Sequence, residues 1–434
     1  MTTLQLHTIE QAVATGWLDA TSQLDATFMI DNSDDTSASG RYFSISGKEQ
    51  RQIESAAQTL RTMFLAATAK VMASDALLAK FQIPQALWPR IRDSWAAAKR
   101  TIAGRFDFAV SGNQIKAFEY NIDTASCLFE AGSTQGRWAK AMGLPGKDAG
   151  EGVFQKLVGA WKATGLTGTV HMMFDDDVEE RYHTLYMASA AKAAGLQCKM
   201  VCCTEGLRWV DGKVVDSDGE LITQVWKTWA WETVFDQFVE AAPNSLRIVD
   251  VLLSPDVEVF EPMWTVVPNN KAILPVLWEL FPEHPYLLRA EFELTAELED
   301  SAAGYVTKPI VGRCGQGVTM INNQGSVVAS LGNKRFVDKD SVYQEMRALP
   351  TVDGAGSVLV CPWIIGGEAC GVVLRVDEGL ITTVDSPIVC LRVEEECQET
   401  KQKQAGVRLS RSYSAPVISH NVMTAMSSRL LLAY

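Results

Sequence analysis

Gly104-Arg105-Phe106-Asp107-Phe108-Ala109-Val110, the turn Ser111-Gly112-Asn113, and then Ile115-Lys116-Ala117-Phe118-Glu119-Tyr120-Asn121-Ile122-Asp123-Thr124-Ala125-Ser126 form the stretch on which the reading of this chain turns. Polar and apolar residues alternate along both arms, and the side chains of a strand point to opposite faces with period two. Arg105 and Asp107 therefore share a face of the first arm, and Glu119 and Asn121 share a face of the second. Two carboxylates and an amide oxygen are hard donors, of the kind Mg²⁺ takes when it also holds phosphates. Arg105 beside them can grip an anion through two parallel N–H groups. Spacing alone leaves a second reading open, an exposed hairpin face carrying paired charges.

Upstream, Ile53, Ala56, Leu60, Met63, Phe64, Ala67 and Val71 recur at helical spacing, which predicts a long amphipathic helix over 46–72. Further helix is expected over 77–81 and 88–98, interrupted by Pro84 and Pro89. Downstream, 169–174 reads as a buried strand, followed by Asp175-Asp176-Asp177, a helix over 178–194, the cap Gly195 and a second strand over 198–203. Such a β-loop-α-β unit argues for a parallel sheet with a functional loop at a strand's carboxyl end. Glu179 and Glu180 open that helix. They fit the positive end of the helix dipole, and equally a pocket for a cationic amine. Asp211-Gly212 marks a further hairpin.

Beyond Glu291 the pattern turns strand-rich, with strands expected over 305–310, 318–321, 338–346, 357–365, 369–375 and 380–384 as an α+β lobe. Lys308 leads into Gly312-Arg313-Cys314-Gly315-Gln316-Gly317. Glycines let backbone N–H groups approach phosphates, and a neighbouring lysine can add a point charge. The loop is neither the P-loop nor the Rossmann pattern, and a simple tight hairpin is an equal reading.

Composition narrows the rest. The 434 residues are 47% hydrophobic and 21% charged, enough to bury a large core. The 39 basic against 52 acidic residues leave a net charge of −13, which repels a phosphate backbone, so no nucleic-acid partner is expected. The start MTTLQLHTIEQ does not read as a signal peptide, and no apolar run reaches the ~18–20 residues of a membrane span. Nine cysteines without a CxxC pair suggest a reduced, cytoplasmic setting, and five scattered histidines show no zinc spacing.

The order of these features resembles that of an ATP-grasp ligase: a candidate magnesium hairpin, an acidic helix start, a lysine strand with a flexible loop, and a Tyr343-Gln344-Glu345 hinge. The stretches LWPRIRDSW, GRFDF, EYNIDTASCLFEAG, VWKTWAWETVFDQ, VFEPMWTVVPNNKAILPVLWELFP, YVTKPIVGRCGQG and VYQEMRALP closely resemble the synthetase domain of bacterial glutathionylspermidine synthetases. The likeness runs from about Arg41 to about Val393. It implies a mixed α/β and α+β fold, an ATP-grasp ligase with a preceding pre-ATP-grasp-like α/β region. The activity implied is ATP-dependent amide formation between the glycine carboxylate of glutathione and spermidine, with ATP and Mg²⁺ required.

By position, the resemblance assigns Asp107, Glu119 and Asn121 to magnesium, and Arg105 and Arg375 to the reacting carboxylate. Thr124, Ser126 and Thr233 fall at the glutathione site, and Glu179 and Glu180 near glutathione and the amine. Lys308, Gly315, Gly317, Gln344 and Glu345 fall to ATP, together with Lys334 or Arg335. The expected layout is an N-terminal segment over 1–40, a synthetase-like domain over 41–396 with its ATP lobe at about 291–393, and an unmatched, disordered tail over 397–434. Bifunctional relatives carry an N-terminal amidase domain for which the segment before Arg41 leaves no room, so product hydrolysis is not expected. A homodimer stays open. So do two other functions: a same-fold ligase for a different amine or amino acid, and an inactive binder of glutathione or polyamine.

Overall fold

A computed structural model describes residues 4–9, 16–31, 40–240, 245–332 and 335–395; the tail over 397–434 and Lys334 lie outside them. The quoted stretch forms the antiparallel strands Ala103–Ser111 and Gln114–Asn121, with Gly112 at φ +61° in the turn. Asp107 stands opposite Glu119 and Arg105 opposite Asn121, so the polar residues do share one face. On the other face Phe106 stacks on Tyr120 at 4.0 Å between ring centroids, and both rings meet Phe64 edge-on. Phe64 belongs to the helix Gly47–Met72, whose N-terminus carries a reciprocal cap between Ser46 and Glu49. A bulge between Asp107 and Phe108 sets one extra residue, Phe118, into the second strand.

The first strand also pairs with Gly356–Ile365, which pairs with the short strand Thr351–Val352 and with Glu368–Asp377 and, through the latter, Ile388–Val389, all antiparallel in one six-stranded sheet. The sequence groups residues 357–375 with the later lobe; their hydrogen-bonding partner is the early hairpin. Strand periodicity identifies a strand and leaves its neighbour unspecified. No strand forms over 380–384: that segment is bend and turn, and its place at the sheet edge is taken by Ile388–Val389. The apolar residues Leu380 and Val384 that suggested a strand are exposed.

Two further sheets flank this one. Glu258–Phe260, Gln224–Lys227, Thr169–Phe174 and Gln197–Cys202 form a parallel sheet in that order, as the β-loop-α-β pattern predicts. The crossover helix is Val178–Ala193, capped by Asp177, which accepts from the backbone N–H of Glu179 and Glu180. Ala290–Glu291, Ser341–Glu345, Tyr305–Pro309, Thr319–Ile321 and Val327–Ser330 form an antiparallel sheet. The Tyr343-Gln344-Glu345 segment is thus strand, with Gln344 buried. Among the described residues, no helix is long and apolar enough to cross a membrane.

One ion pair ties the six-stranded and parallel sheets together. Lys227, at the end of Gln224–Lys227, donates to Asp123 Oδ1 at 2.6 Å and to Trp229 O at 2.7 Å, and both side chains are fully buried. Asp123 Oδ2 accepts from Trp231 N at 2.6 Å. A buried charge stripped of its partner typically costs about 3–5 kcal/mol. Lys227→Met should therefore lower the unfolding free energy by about that amount in urea titration. Adding Asp123→Asn should recover part of the loss, since the orphaned charge is gone. Equal stability of Lys227→Met and the parent would contradict this role.

Candidate active site

The hairpin's polar face looks into a cleft closed on its far side by the Tyr305–Pro309 sheet. Asp107, Phe118, Glu119, Lys271, Lys308 and Gln344 line it, with the glycine-rich loop and Glu345. Asn121 Nδ2 is 3.3 Å from both Asp107 Oδ2 and Glu119 Oε1. The amide therefore marks the point on which two carboxylates converge. Which amide atom faces them is an assignment at this geometry, so the oxygen can equally be turned inward. Among the described residues no three His, Cys, Asp or Glu side chains form a metal cage. Two carboxylates and an amide suit Mg²⁺, which is ordinarily held by one or two carboxylates with substrate phosphates completing its shell.

Arg105 is buried and donates to both oxygens of Asp107, at 2.8 and 3.2 Å, and to Ser126 O at 2.8 Å. It fixes that carboxylate and the following loop at once. In that loop Thr124 has φ +65° and a buried hydroxyl with no partner. Thr124, Ser126 and Glu180 share a small recess with Thr228.

Two ammonium groups face the carboxylates. Lys308 Nζ donates to Gln344 Oε1 at 2.7 Å and lies 5.1 Å from the ring centroid of Phe118, the bulged residue. Lys271 Nζ is 2.9 Å from Glu119 Oε2 and donates to Gly312 O at 3.0 Å. Burial pushes the Lys308 ammonium down to about 8. Burial also pushes the Glu119 carboxyl up, but Lys271 and Lys308 outweigh it and hold that group at about 2. Lys271 escaped the sequence reading, although it stands in the quoted block VVPNNKAILP. The sequence reading gives it no role and assigns an ATP contact to Lys334 or Arg335. Arg335 instead donates to Thr233 Oγ1 at 3.0 Å, on the helix Trp231–Val239.

The loop Gly312–Gly317 runs over the cleft with Cys314, Gly315 and Gly317 at φ +49°, +71° and +75°. A Cβ on Gly315 would come within 2.6–2.8 Å of Ile381, Thr382 and Leu331, so no other residue fits there. Gly317 N–H donates to Leu331 O and braces the loop.

Cys314 also lines a second, larger cavity of about 790 Å³, which opens past Ser126 and Arg375. Arg375 comes from the strand Glu368–Asp377; it is buried and its Nε has no partner. Asp31, Glu130, Glu179, Trp17 and Trp138 also line this cavity, together with Arg41 and Asp385. Burial pushes the Glu179 and Glu180 carboxyls up. The structure thus brings Asp107, Glu119, Lys308, Gly315, Gln344 and Glu345 onto one cleft, with Arg105 and Asn121 bonded to its carboxylates. Ser126, Glu179 and Arg375 meet in the adjoining cavity, and Thr233 stands apart from both.

A family model described as glutathionylspermidine synthase preATP-grasp matches residues 9–394. The chain is 40% identical over 391 residues to the bifunctional glutathionylspermidine synthetase/amidase of Escherichia coli strain K12, covering 86% of this chain and 62% of that protein. It is 41% identical over 354 residues to the trypanothione synthetase of Crithidia fasciculata, covering 77% and 54%. The glutathionylspermidine synthase of Crithidia fasciculata matches at 30% over 408 residues, covering 78% and 56%. The chain therefore spans somewhat over half the length of these relatives.

A buried ammonium whose pKa falls from 10.5 to about 8 costs stability wherever both folded and unfolded chains hold the proton. That cost is full below pH 8 and vanishes as pH rises toward the unfolded value. Lys308→Met should thus be more stable than the parent by roughly 1–3 kcal/mol at neutral pH. The gap should close as pH rises from about 8 to about 10.5, measured by denaturant titration across pH. A gap that widens with pH would contradict the burial argument.

Proposed function

The chain belongs to the glutathionylspermidine synthase family, and from that premise we propose that it is an ATP-dependent carbon–nitrogen ligase joining the glycine carboxylate of glutathione to spermidine. The observation that carries this reading is the meeting of opposite charge in adjoining spaces. A cleft with two lysines and two carboxylates shares Cys314 with a cavity that Arg375, several carboxylates and aromatic rings line, and Arg105 is bonded to one of the cleft's carboxylates. Glutathione and ATP are anions and spermidine is a polycation, so one site must serve both signs.

A carboxylate is a poor electrophile toward an amine in neutral water. Moving the terminal phosphoryl group of ATP onto it gives an acyl phosphate and ADP. In this reading Lys271, Lys308 and the Gly312–Gly317 backbone hold the phosphates. Asp107, Glu119 and Asn121 would hold Mg²⁺, which neutralises charge on the transferring group. Arg105 and Arg375 face the reacting carboxylate and stabilise the oxyanion formed when the amine adds. The unpartnered Nε of Arg375 and the unpartnered hydroxyl of Thr124 are groups that a bound substrate would satisfy. Asp31, Glu130 and Glu179 face the ammonium groups of the amine, and the 790 Å³ cavity has room for its length. A same-fold ligase with another amine makes the same use of the cleft and differs only in what fills that cavity.

Asp107→Asn keeps a hydrogen-bond acceptor for Arg105 while removing the charge, and Glu119→Gln does the same for Lys271. Each should cut ADP release by about 10²–10³-fold, the usual effect of deleting one such charge-bearing group, with the melting temperature little changed. ADP release in the parent should need glutathione and amine together. Normal turnover by either variant would remove the metal assignment, and full turnover with another amine but none with spermidine would move the reading to that amine.

A further inference from the structure

Val178–Ala193 presents Glu179 and His183 one turn apart on the same face of the helix. His183 Nδ1 is 3.9 Å from Glu179 Oε1, and His183 Nε2 is 3.2 Å from Glu130 Oε2. The other Glu130 oxygen accepts from Tyr182 OH at 2.7 Å. Nε2 also lies 3.0 Å from Cys127 N–H. The ring therefore has a partner in either state: protonated it donates to Glu130, neutral it accepts from Cys127. Glu130 and Glu179 both line the large cavity, in company with Arg375.

The ligation demands a proton acceptor in that cavity. An amine enters as ammonium, with no lone pair to attack. Resting on the ligase reading above, the geometry points to Glu179 as the catalytic base that deprotonates the attacking ammonium, with His183 and Glu130 as the positioning pair behind it. The Glu179 carboxylate takes one proton and leaves the neutral amine. The nitrogen lone pair bonds to the acyl carbon, and the C–O bond to phosphate breaks with its electron pair on the phosphate. The second amine proton leaves with that phosphate as hydrogen phosphate, and Glu179 returns its proton to solvent.

The charges around Glu179 suit the task. Burial pushes its carboxyl up, and Glu130, Glu180 and Asp31 add to the rise while His183 opposes it. The thiols of Cys127 and Cys314 face it as well. Burial pulls the His183 ring down, but Glu130, Glu179 and Glu180 outweigh that and hold it at about 9. A protonated ring opposes the rise of the Glu179 carboxyl and so favours the form that can accept a proton. Removing that cation must raise the Glu179 carboxyl further.

The test separates amide formation from acyl-phosphate formation, using hydroxylamine, which is neutral at neutral pH and needs no base to expose its lone pair. Glu179→Gln, at saturating substrates, should lose about 10²-fold or more in kcat for amide formation and at least about tenfold less in hydroxamate formation, which needs no base. The hydroxamate rate doubles as the measure of folded, competent enzyme. His183→Asn should move the acid limb of the kcat–pH profile to higher pH, a shift that a purely structural histidine would not give. Parental amide synthesis by Glu179→Gln, parallel loss of hydroxamate, or an unmoved acid limb in His183→Asn would each overturn the inference. Absence of hydroxamate in the parent would instead bring down the ligase reading, and this inference with it.

Discussion

Two fully buried side chains, Asp123 and Lys227, set the frame on which the rest of the site is hung. Neither charge can be left alone in a dry interior, so the end of a parallel strand and the loop after the hairpin must meet at 2.6 Å or the fold loses several kcal/mol. That contact decides where Thr124 and Ser126 lie relative to Thr228 and the helix Trp231–Val239. Arg105 adds the second constraint by bonding Asp107 and Ser126 O together. Asn269 adds a third, accepting from the backbone N–H of Ile122 and Asp123. A loop with residues at positive φ is held at several points and left little freedom, the condition for groups that must be in place before substrate arrives.

The same logic explains why the cleft is costly to build. Lys308 and Lys271 stand in a poorly hydrated space beside Asp107 and Glu119, and the Lys308 ammonium is driven down to about 8 in the process. A protein selected for stability alone would fill that space with apolar side chains. The lysines stand in the cleft, and Glu130 and Glu179 stand in the neighbouring cavity with Arg375. Cys314 lines both spaces.

Much of this was legible in the sequence because it is local. Alternation placed Asp107 beside Arg105 on one arm and Glu119 beside Asn121 on the other, and turn residues located the hairpin. The β-loop-α-β pattern around residues 169–203 gave a parallel pair. What was not legible depends on contacts between distant segments. Nothing near Asp123 reveals that its partner is Lys227, and nothing in 356–365 announces pairing with 103–111. Lys271 was hidden for a related reason: among Val266, Val267, Ile273 and Leu274 it reads as a lone charge at the edge of an apolar helix. Only the fold shows that its ammonium reaches Glu119. The bulge that turns Phe118 toward Lys308 has no marker in the alternation, because it is the place where alternation breaks.

The central claim is that a carboxylate is activated by phosphoryl transfer in the cleft between the six-stranded and five-stranded sheets. The direct test uses glutathione carrying heavy oxygen in both atoms of its glycine carboxylate, turned over with ATP and spermidine. Activation as an acyl phosphate requires one labelled oxygen to leave with phosphate, because the C–O bond to that oxygen breaks when the amine adds. The account therefore predicts inorganic phosphate carrying one heavy oxygen per amide formed, seen by mass spectrometry. Unlabelled phosphate accompanying amide formation would contradict it.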